Sequence, residues 1–409
     1  MQVAVAVHND VVKDARVLKE AATLVSAGHE VTVFGLHDEE SGEQRLAGGI
    51  RLVISRRDKS AVAARVKRIE KPTKEDRVRA SFDVQGAILA NAILQTMIPD
   101  VIHIHDHVAL TGAKLLKEVT GVPIVWDAHE IYEDLAGIAD ARAVVNPQVI
   151  SEFTPYVDHF VTINESIAEF YSGKYQNLAD ATILPNSRRH ELVPDYDGRL
   201  HDAAGLPQTQ KILLFQGGFS NHRGIPALLE AGAHLPSGWS VVFMGWGTLA
   251  DEIASHDQDV DNDGVRRIIA VPGVPNGELL SWTAGATVGV IPYEDKGLNH
   301  LYCTPNKLWE YPLAGVPIIG TNFPEMAKVI TGRGVGWVIP QEFTANDIAE
   351  VVNSLTEEKI SAAREHSSKF VQNDNWTIHE QRLVELYQKI GEATKFSWQT
   401  HDEFIESLT

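Results

Sequence analysis

Three short stretches carry residue types that could do chemistry. The first is "TPNKLWEYPLAGVPIIG", residues 304–320. A Thr-Pro pair reads as a helix start, with Thr304 as N-cap and Pro305 at the first helical position. The N–H groups of Asn306 and Lys307 would then face an anion, and Lys307 adds a point charge. Glu310 follows one turn later on the same side. A carboxylate placed there suits two vicinal hydroxyls, such as those of a ribose. Phosphate at the helix start and ribose one turn on is a coherent nucleotide arrangement. The plain alternative is a surface ion pair between Lys307 and Glu310.

The second stretch is "FQGGFSNHRG", residues 215–224. A strand ends in Gly217 and Gly218, a short loop reaches Arg223 and Gly224, and a helix follows. Small residues let backbone amides approach phosphates, and Arg223 can fork onto their oxygens. The alternative is an ordinary strand-to-helix turn with Arg223 in solvent. The third stretch is a pair of strand ends, "HIHDH" (103–107) and "VWDAHEIYED" (125–134). Strand alternation puts His103, His105 and His107 on one face. That invites a metal reading, against which core packing is expected to win, because the run is one residue short of the binuclear hydrolase motif. His129, with Asp127 and Glu130 beside it, could orient a substrate hydroxyl or cap local backbone. Cys303 lies next to the first stretch without an identifiable partner base and is read as a bystander.

The elements that must position these residues alternate between short apolar runs and amphipathic stretches. "VAVAV" (3–7), "VTVF" (31–34), "DVIHIHD" (100–106), "VPIVWDAHE" (122–130) and "HFVTIN" (159–164) read as strands. With helices between them they make βαβ units and a parallel sheet. A polar, Pro-containing stretch at 187–210 reads as a linker. The pattern restarts with "KILLFQGG" (211–218), "WSVVFMGWG" (239–247), "VRRIIAVPG" (265–273) and "TVGVIPY" (287–293). The expected fold class is α/β. Two Rossmann-like parallel-sheet domains, at 1–186 and 211–390, are expected to face a central cleft. The tail is read as two helices, the last at 391–409 packing back on the N-terminal domain. Ligands of open α/β sheets bind at the carboxyl ends of the strands, where the three stretches fall.

Composition narrows the partners. At 409 residues the chain is long enough for two cores. Its net charge of −19 argues against nucleic-acid binding. One cysteine excludes an internal disulfide and, with the reading of the opening residues as lacking a secretory leader, a cytoplasmic protein is expected. No apolar run approaches the roughly 18 residues of a membrane span. The run "RRDKSAVAARVKRIEKPTKEDRVR" (56–79) is basic inside an acidic protein. It reads as a solvated helix face or as a peripheral contact with an anionic membrane or a phosphate-bearing acceptor.

Together these stretches resemble the family 4 retaining glycosyltransferases, which have the GT-B fold. "NDVVKDARVLKEAATLVSAGHEVTVF" looks like that family's opening strand, loop, helix and strand. "GGFSNHRGIPALLEA" resembles its phosphate loop, and "PNKLWEYPLAGVPIIGT" its nucleotide-sugar motif. The resemblance spans nearly the whole chain. It implies a nucleoside diphosphate sugar donor, no metal, and no other cofactor. On the donor side it implies Gly217, Gly218, Arg223, Gly245, Thr304, Asn306, Lys307 and Glu310, with Glu310 on the ribose. It implies catalytic roles for His129, Arg223 and Lys307. Acceptor-side residues are expected at His8, Asn9, Asp10, Arg16, His105 and Asp106, taking a carbohydrate, lipid-linked or small-molecule acceptor. Three departures stand out: Gly218 where an arginine is usual, Tyr302 where a glutamate is usual, and Pro312 inside a helix. The expected reaction is glycosyl transfer with retention, in polysaccharide, glycolipid or glycoconjugate synthesis. The alternatives are a nucleotide-sugar epimerase of the same fold and a non-catalytic nucleotide-sugar-binding subunit.

Overall fold

The computed structural model describes residues 1–12, 14–256, 260 and 264–407, with side chains described to residue 393. The chain divides into two compact units. One comprises Met1–Asp134, Ile138–Pro185 and His379–Thr409, the other Leu135–Gly137 and Asn186–Ile378.

The first unit is built on an eight-stranded sheet. Its strands are β1 (Gln2–Ala6), β2 (Glu30–His37), β3 (Gly42–Arg45), β4 (Arg51–Arg56), β5 (Val101–His105), β6 (Ile124–Asp127), β7 (His159–Thr162) and β8 (Ala181–Ile183). They lie in the order β3-β4-β2-β1-β5-β6-β7-β8. All pairings are parallel except β3 with β4. The central strands β1, β5 and β6 are buried almost throughout, which explains their unbroken apolar runs. Asp14 starts the first helix, Ala15–Ser26, by accepting from the Val17 N–H. The sheet grows in one direction from β1 through β2 to β4, then restarts beside β1 at β5. The switch point therefore lies between the carboxyl ends of β1 and β5.

The second unit repeats the plan with β9 (Lys211–Gly218), β10 (Trp239–Trp246), β11 (Ile268–Pro272), β12 (Val288–Ile291), β13 (Ile318–Thr321) and β14 (Gly336–Ile339). The order is β11-β10-β9-β12-β13-β14, all parallel. Its switch point lies between β9 and β12. Apolar clusters cover both faces of this sheet, one around Leu214, Tyr311 and Phe323 and the other around Phe215, Phe243 and Ile348.

Two local expectations change. The stretch 187–210 carries a helix, Arg199–Ala204, whose Leu200 and Ala204 are fully buried in the core of the second unit. The tail is one helix, Trp376–Ser407, rather than two. Gly391 sits inside it, and the roughly 1 kcal/mol a helical glycine costs is too little to break so long an element. Residues 408 and 409 lie outside the described residues. Among the described residues, no helix is long and apolar enough to cross a membrane.

Candidate active site

At the second unit's switch point, Gln216, Gly217 and Gly218 end β9 while Tyr293 lies just beyond β12. Strand β9 and strand β10 close tightly here. A Cβ on Gly245 would stand 1.9 Å from the Gly217 carbonyl oxygen, so only glycine fits. Gly224 adopts φ +69, and a Cβ there would stand 1.9 Å from the Pro292 carbonyl oxygen. These glycines hold the loop carrying Arg223 against the end of β12.

Lys307 and Glu310 are both buried, and they do not pair with each other. The Lys307 Nζ donates to the Tyr293 hydroxyl at 3.1 Å. Arg223 donates to the same hydroxyl and lays its guanidinium 4.6 Å from the Tyr293 ring centre. Gly217 adopts φ +111, and a Cβ on it would touch the Lys307 Nζ at 3.3 Å. Two cations thus share one neutral oxygen beside a glycine strand end. Glu310 turns elsewhere. Its Oε2 accepts from Gln216 Nε2 at 2.9 Å, and its Oε1 lies 3.8 Å from Arg188. Gln216 is held in turn by the Thr283 hydroxyl at 2.8 Å. The carboxylate is fixed in direction by the Gln216 amide, with one guanidinium beside it.

The helix carrying these residues begins later than the Thr-Pro pair suggested. It spans Lys307–Leu313 with Asn306 as N-cap and no side-chain cap. The Leu308 N–H already bonds the Pro305 carbonyl at 2.9 Å, so Pro305 heads a tight turn instead of the helix. Thr304 is buried, and its carbonyl accepts from Asn186. With seven residues the helix offers a weak dipole, and anion binding here falls mainly to Lys307 and Arg223. Pro312 is the sixth residue of that helix, so the turn it disturbs is the last one. Gly218 is exposed with open space where a side chain would start.

The first unit's switch point is built differently. His8 follows β1, Asp106 follows β5 and His129 follows β6. Asp106 adopts φ +64, which turns its carboxylate back under the loops. It receives the Tyr132 hydroxyl and lies 3.2 Å from His8 Nδ1 and 3.3 Å from His129 Nε2. His129 Nδ1 stands 3.8 Å from Asp127. Burial alone would lower the His129 pKa, but Asp106 and Asp127 outweigh it and raise it to about 9. Burial would raise Asp106; the charges of His129 and His8 hold it well below the usual carboxylate range instead. His129 is therefore an imidazolium at neutral pH, with 23% of its side chain exposed.

Beneath this layer Arg16 grips Asp127 through Nε at 2.8 Å and through its second terminal nitrogen at 3.1 Å. It also bonds the Leu184 carbonyl and lies 3.2 Å from Glu20. Arg16 and His105, expected on the acceptor side, thus face inward. His8 and Asn9 are half-buried and Asp10 is exposed. Asn9 bridges to Asp14 and to the Val11 N–H, which shapes the loop after β1. His107 leaves its two neighbours and packs between Phe82 and Tyr132.

Sequence reasoning missed Tyr293, Gln216 and Tyr132. Gln216 had a signal: it is the polar residue inside an otherwise apolar run. Tyr293 and Tyr132 had none, since their roles depend on partners distant in the chain.

Comparison with known proteins agrees with this architecture. The profile of Glycosyltransferase Family 4 matches residues 15–189, and that of Glycosyl transferases group 1 matches residues 210–358. No curated protein sequence matches the chain. Among solved structures, sucrose-phosphate synthase from Thermosynechococcus elongatus is 15% identical with a TM-score of 0.76, covering 96% of this chain and 100% of that one. The trehalose 6-phosphate synthase of Burkholderia multivorans is 13% identical with a TM-score of 0.71, covering 96% and 99%. Anabaena HepE in complex with UDP-glucose is 13% identical with a TM-score of 0.68, covering 95% and 100%. At such identities the structural likeness carries the fold, and the two sequence profiles, which together span most of the chain, carry the family. The chain belongs to the family 4 glycosyltransferases of the GT-B fold.

Proposed function

We propose that the protein moves a glycosyl unit from a nucleoside diphosphate sugar to an acceptor hydroxyl with retention of anomeric configuration. The observation that carries the donor half is the pairing of Lys307 and Arg223 on the neutral Tyr293 hydroxyl. Neither cation is neutralised by that partner, so both keep their charge for a diphosphate. Glu310, oriented by Gln216 through one of its oxygens, is suited to accept from two ribose hydroxyls. Charge developing on the leaving diphosphate would be met by these side chains, which would serve in place of a metal ion at the donor. HepE was solved with UDP and with UDP-glucose, which supports a nucleotide-sugar donor.

His129, held as an imidazolium above Asp106, would donate a hydrogen bond to the sugar or the acceptor. His8, Asn9 and Asp10 would meet the acceptor. Retention is tested by the anomeric NMR spectrum of the product; an inverted product would refute it. An acceptor-free change of the sugar would favour an epimerase.

The basic run supports a narrower membrane surface than its composition suggested. Arg57 and Lys59 face Asp38, and Arg65 and Arg79 pair with Asp83. Arg56, Lys67, Arg68, Lys71, Lys74 and Arg77 are exposed. These six would carry any peripheral contact with anionic lipid. Sedimentation with vesicles lacking and containing anionic lipid, at low and high salt, tests this, and indifference to both variables would remove it.

The donor assignment is tested by thermal shifts with UDP, GDP, ADP and dTDP on wild type and Glu310→Ala. Ligand at about 100 times its Kd stabilises by about 2.7 kcal/mol. That corresponds to a shift of several degrees, at about 2–4 °C per kcal/mol. A shift with one nucleotide, lost in the variant, is the expected outcome. No shift with any of the four would overturn the donor reading.

A further inference from the structure

We propose that the first unit holds a first-row divalent metal ion, zinc foremost, between Glu20, His103 and His105. The site is separate from the donor residues and rests on none of the reading above. Glu20, His103, His105 and Asp127 are all buried, and one potential ligand atom from each falls within 4.8 Å of the others. The Glu20 Oε2 lies 3.7 Å from His103 Nε2 and 3.9 Å from His105 Nε2. These three atoms make no hydrogen bond, although the groups that carry them are 0–1% exposed. Buried imidazole nitrogens and carboxylate oxygens are ordinarily hydrogen-bonded, so this convergence calls for a ligand.

The surroundings match a metal centre. Ligating histidines usually have a partner at the other ring nitrogen; here one ring has a hydrogen bond there and the other a carboxylate nearby without one. The His103 Nδ1 meets the Tyr387 hydroxyl at 2.9 Å, and the His105 Nδ1 faces Asp127 at 3.5 Å. Asp127 is already gripped by Arg16, which fits it for this outer role more than for direct ligation. Its charge offsets the guanidinium, and Glu20 would bring a negative charge to a divalent ion on binding it. Two imidazoles and one carboxylate suit zinc or a neighbouring first-row ion, and not calcium or magnesium, which prefer all-oxygen sets.

Loading requires a defined movement. Zinc bonds of about 2.0–2.1 Å in a tetrahedron put ligand atoms about 3.3 Å apart, so the three donors must draw in by several tenths of an ångström. The two imidazoles are stacked, 4.6 Å between centres and 2° from parallel. One ion cannot lie in both ring planes while they stay stacked. One ring must turn about its Cβ–Cγ bond.

The test uses the full chain, stripped with a chelator and dialysed against zinc. Close to one zinc per chain is expected, and cobalt in its place should give the visible bands of a tetrahedral nitrogen–oxygen site. Tyr387→Phe should weaken zinc by about 10–100-fold, and Glu20→Gln by more. Wild type that retains far less than one ion per chain, or binds no better than Glu20→Gln, overturns the proposal. If Glu20→Gln does not fold, the cobalt spectrum of wild type decides. Tetrahedral bands at one equivalent support the site, and their absence overturns it.

Discussion

The two switch points use charge in opposite ways. In the first unit the buried Arg16 meets Asp127 and Glu20, and the half-buried His129 meets Asp106 and Asp127. In the second, Lys307 and Arg223 meet a phenol oxygen. A cation closed off by carboxylates has its charge compensated within the fold, and its loss is felt as instability. A cation resting on a neutral acceptor remains able to attract an anion, and its loss is felt as weaker binding. The same layout of strands thus carries a charge-compensated scaffold at one sheet and, at the other, two cations on a neutral acceptor, which the proposed function assigns to the donor.

That contrast can be broken most forcefully at Asp127. Asp127→Asn removes the carboxylate that Arg16 grips through two nitrogens, and removing one partner of a buried pair costs about 3–5 kcal/mol. Denaturant unfolding should show the loss, with nucleotide affinity unchanged in whatever fraction stays folded. If stability barely moves, the scaffold assignment fails. Lys307→Ala should do the reverse. Losing a charged hydrogen bond of about 1.5–3 kcal/mol should weaken nucleotide binding about 10- to 100-fold by calorimetry, with the unfolding midpoint nearly unchanged.

The third test uses pH. His129 is raised to about 9 in the folded state, against an ordinary value near 6.5. A raised folded pKa gives stability that is full below the ordinary value and is lost as pH rises through about 9. The advantage of wild type over His129→Gln should therefore be complete near pH 6 and shrink between about 6.5 and 9. After discounting for a side chain 23% exposed, it amounts to about 1–2 kcal/mol. Thermal midpoints of both proteins across that range read it directly, and a constant gap would refute it. The smallest effect is a gain. A side chain at Gly218 starts in open space. Gly218→Arg should raise nucleotide affinity by up to about tenfold, the worth of one exposed charge-assisted bond. No gain would mean that the two existing cations already saturate the phosphates.

Much of the fold was readable because buried parallel strands leave unbroken apolar runs, and because glycines mark where β9 and β10 close on each other. Lys307 and Glu310 were singled out by residue type at a helix start, and Arg223 in the loop after a strand. Thr304 as N-cap was misread, because a Thr-Pro pair opens a tight turn as readily as a helix. The inward turn of Arg16 and His105 was not readable at all. Arg16 and Asp127 are 111 positions apart, and nothing in local spacing records a contact made across the sheet. The metal reading of "HIHDH" was set aside because the run is one residue short of the hydrolase motif. Glu20, the carboxylate facing His103 and His105, lies upstream on the first helix.

The tail helix has a consequence for how the protein is made. Tyr387 bonds His103, Glu380 bonds Thr23 and Arg382 bonds the Ile183 carbonyl, so the first unit is finished by the last segment of the chain. During synthesis that unit must wait while the ribosome makes the residues between Pro185 and His379. At about 5–20 residues per second the delay is roughly 10–40 s. Over that interval the nascent first unit lacks its closing helix, with the partners of His103, Thr23 and the Ile183 carbonyl still to be made.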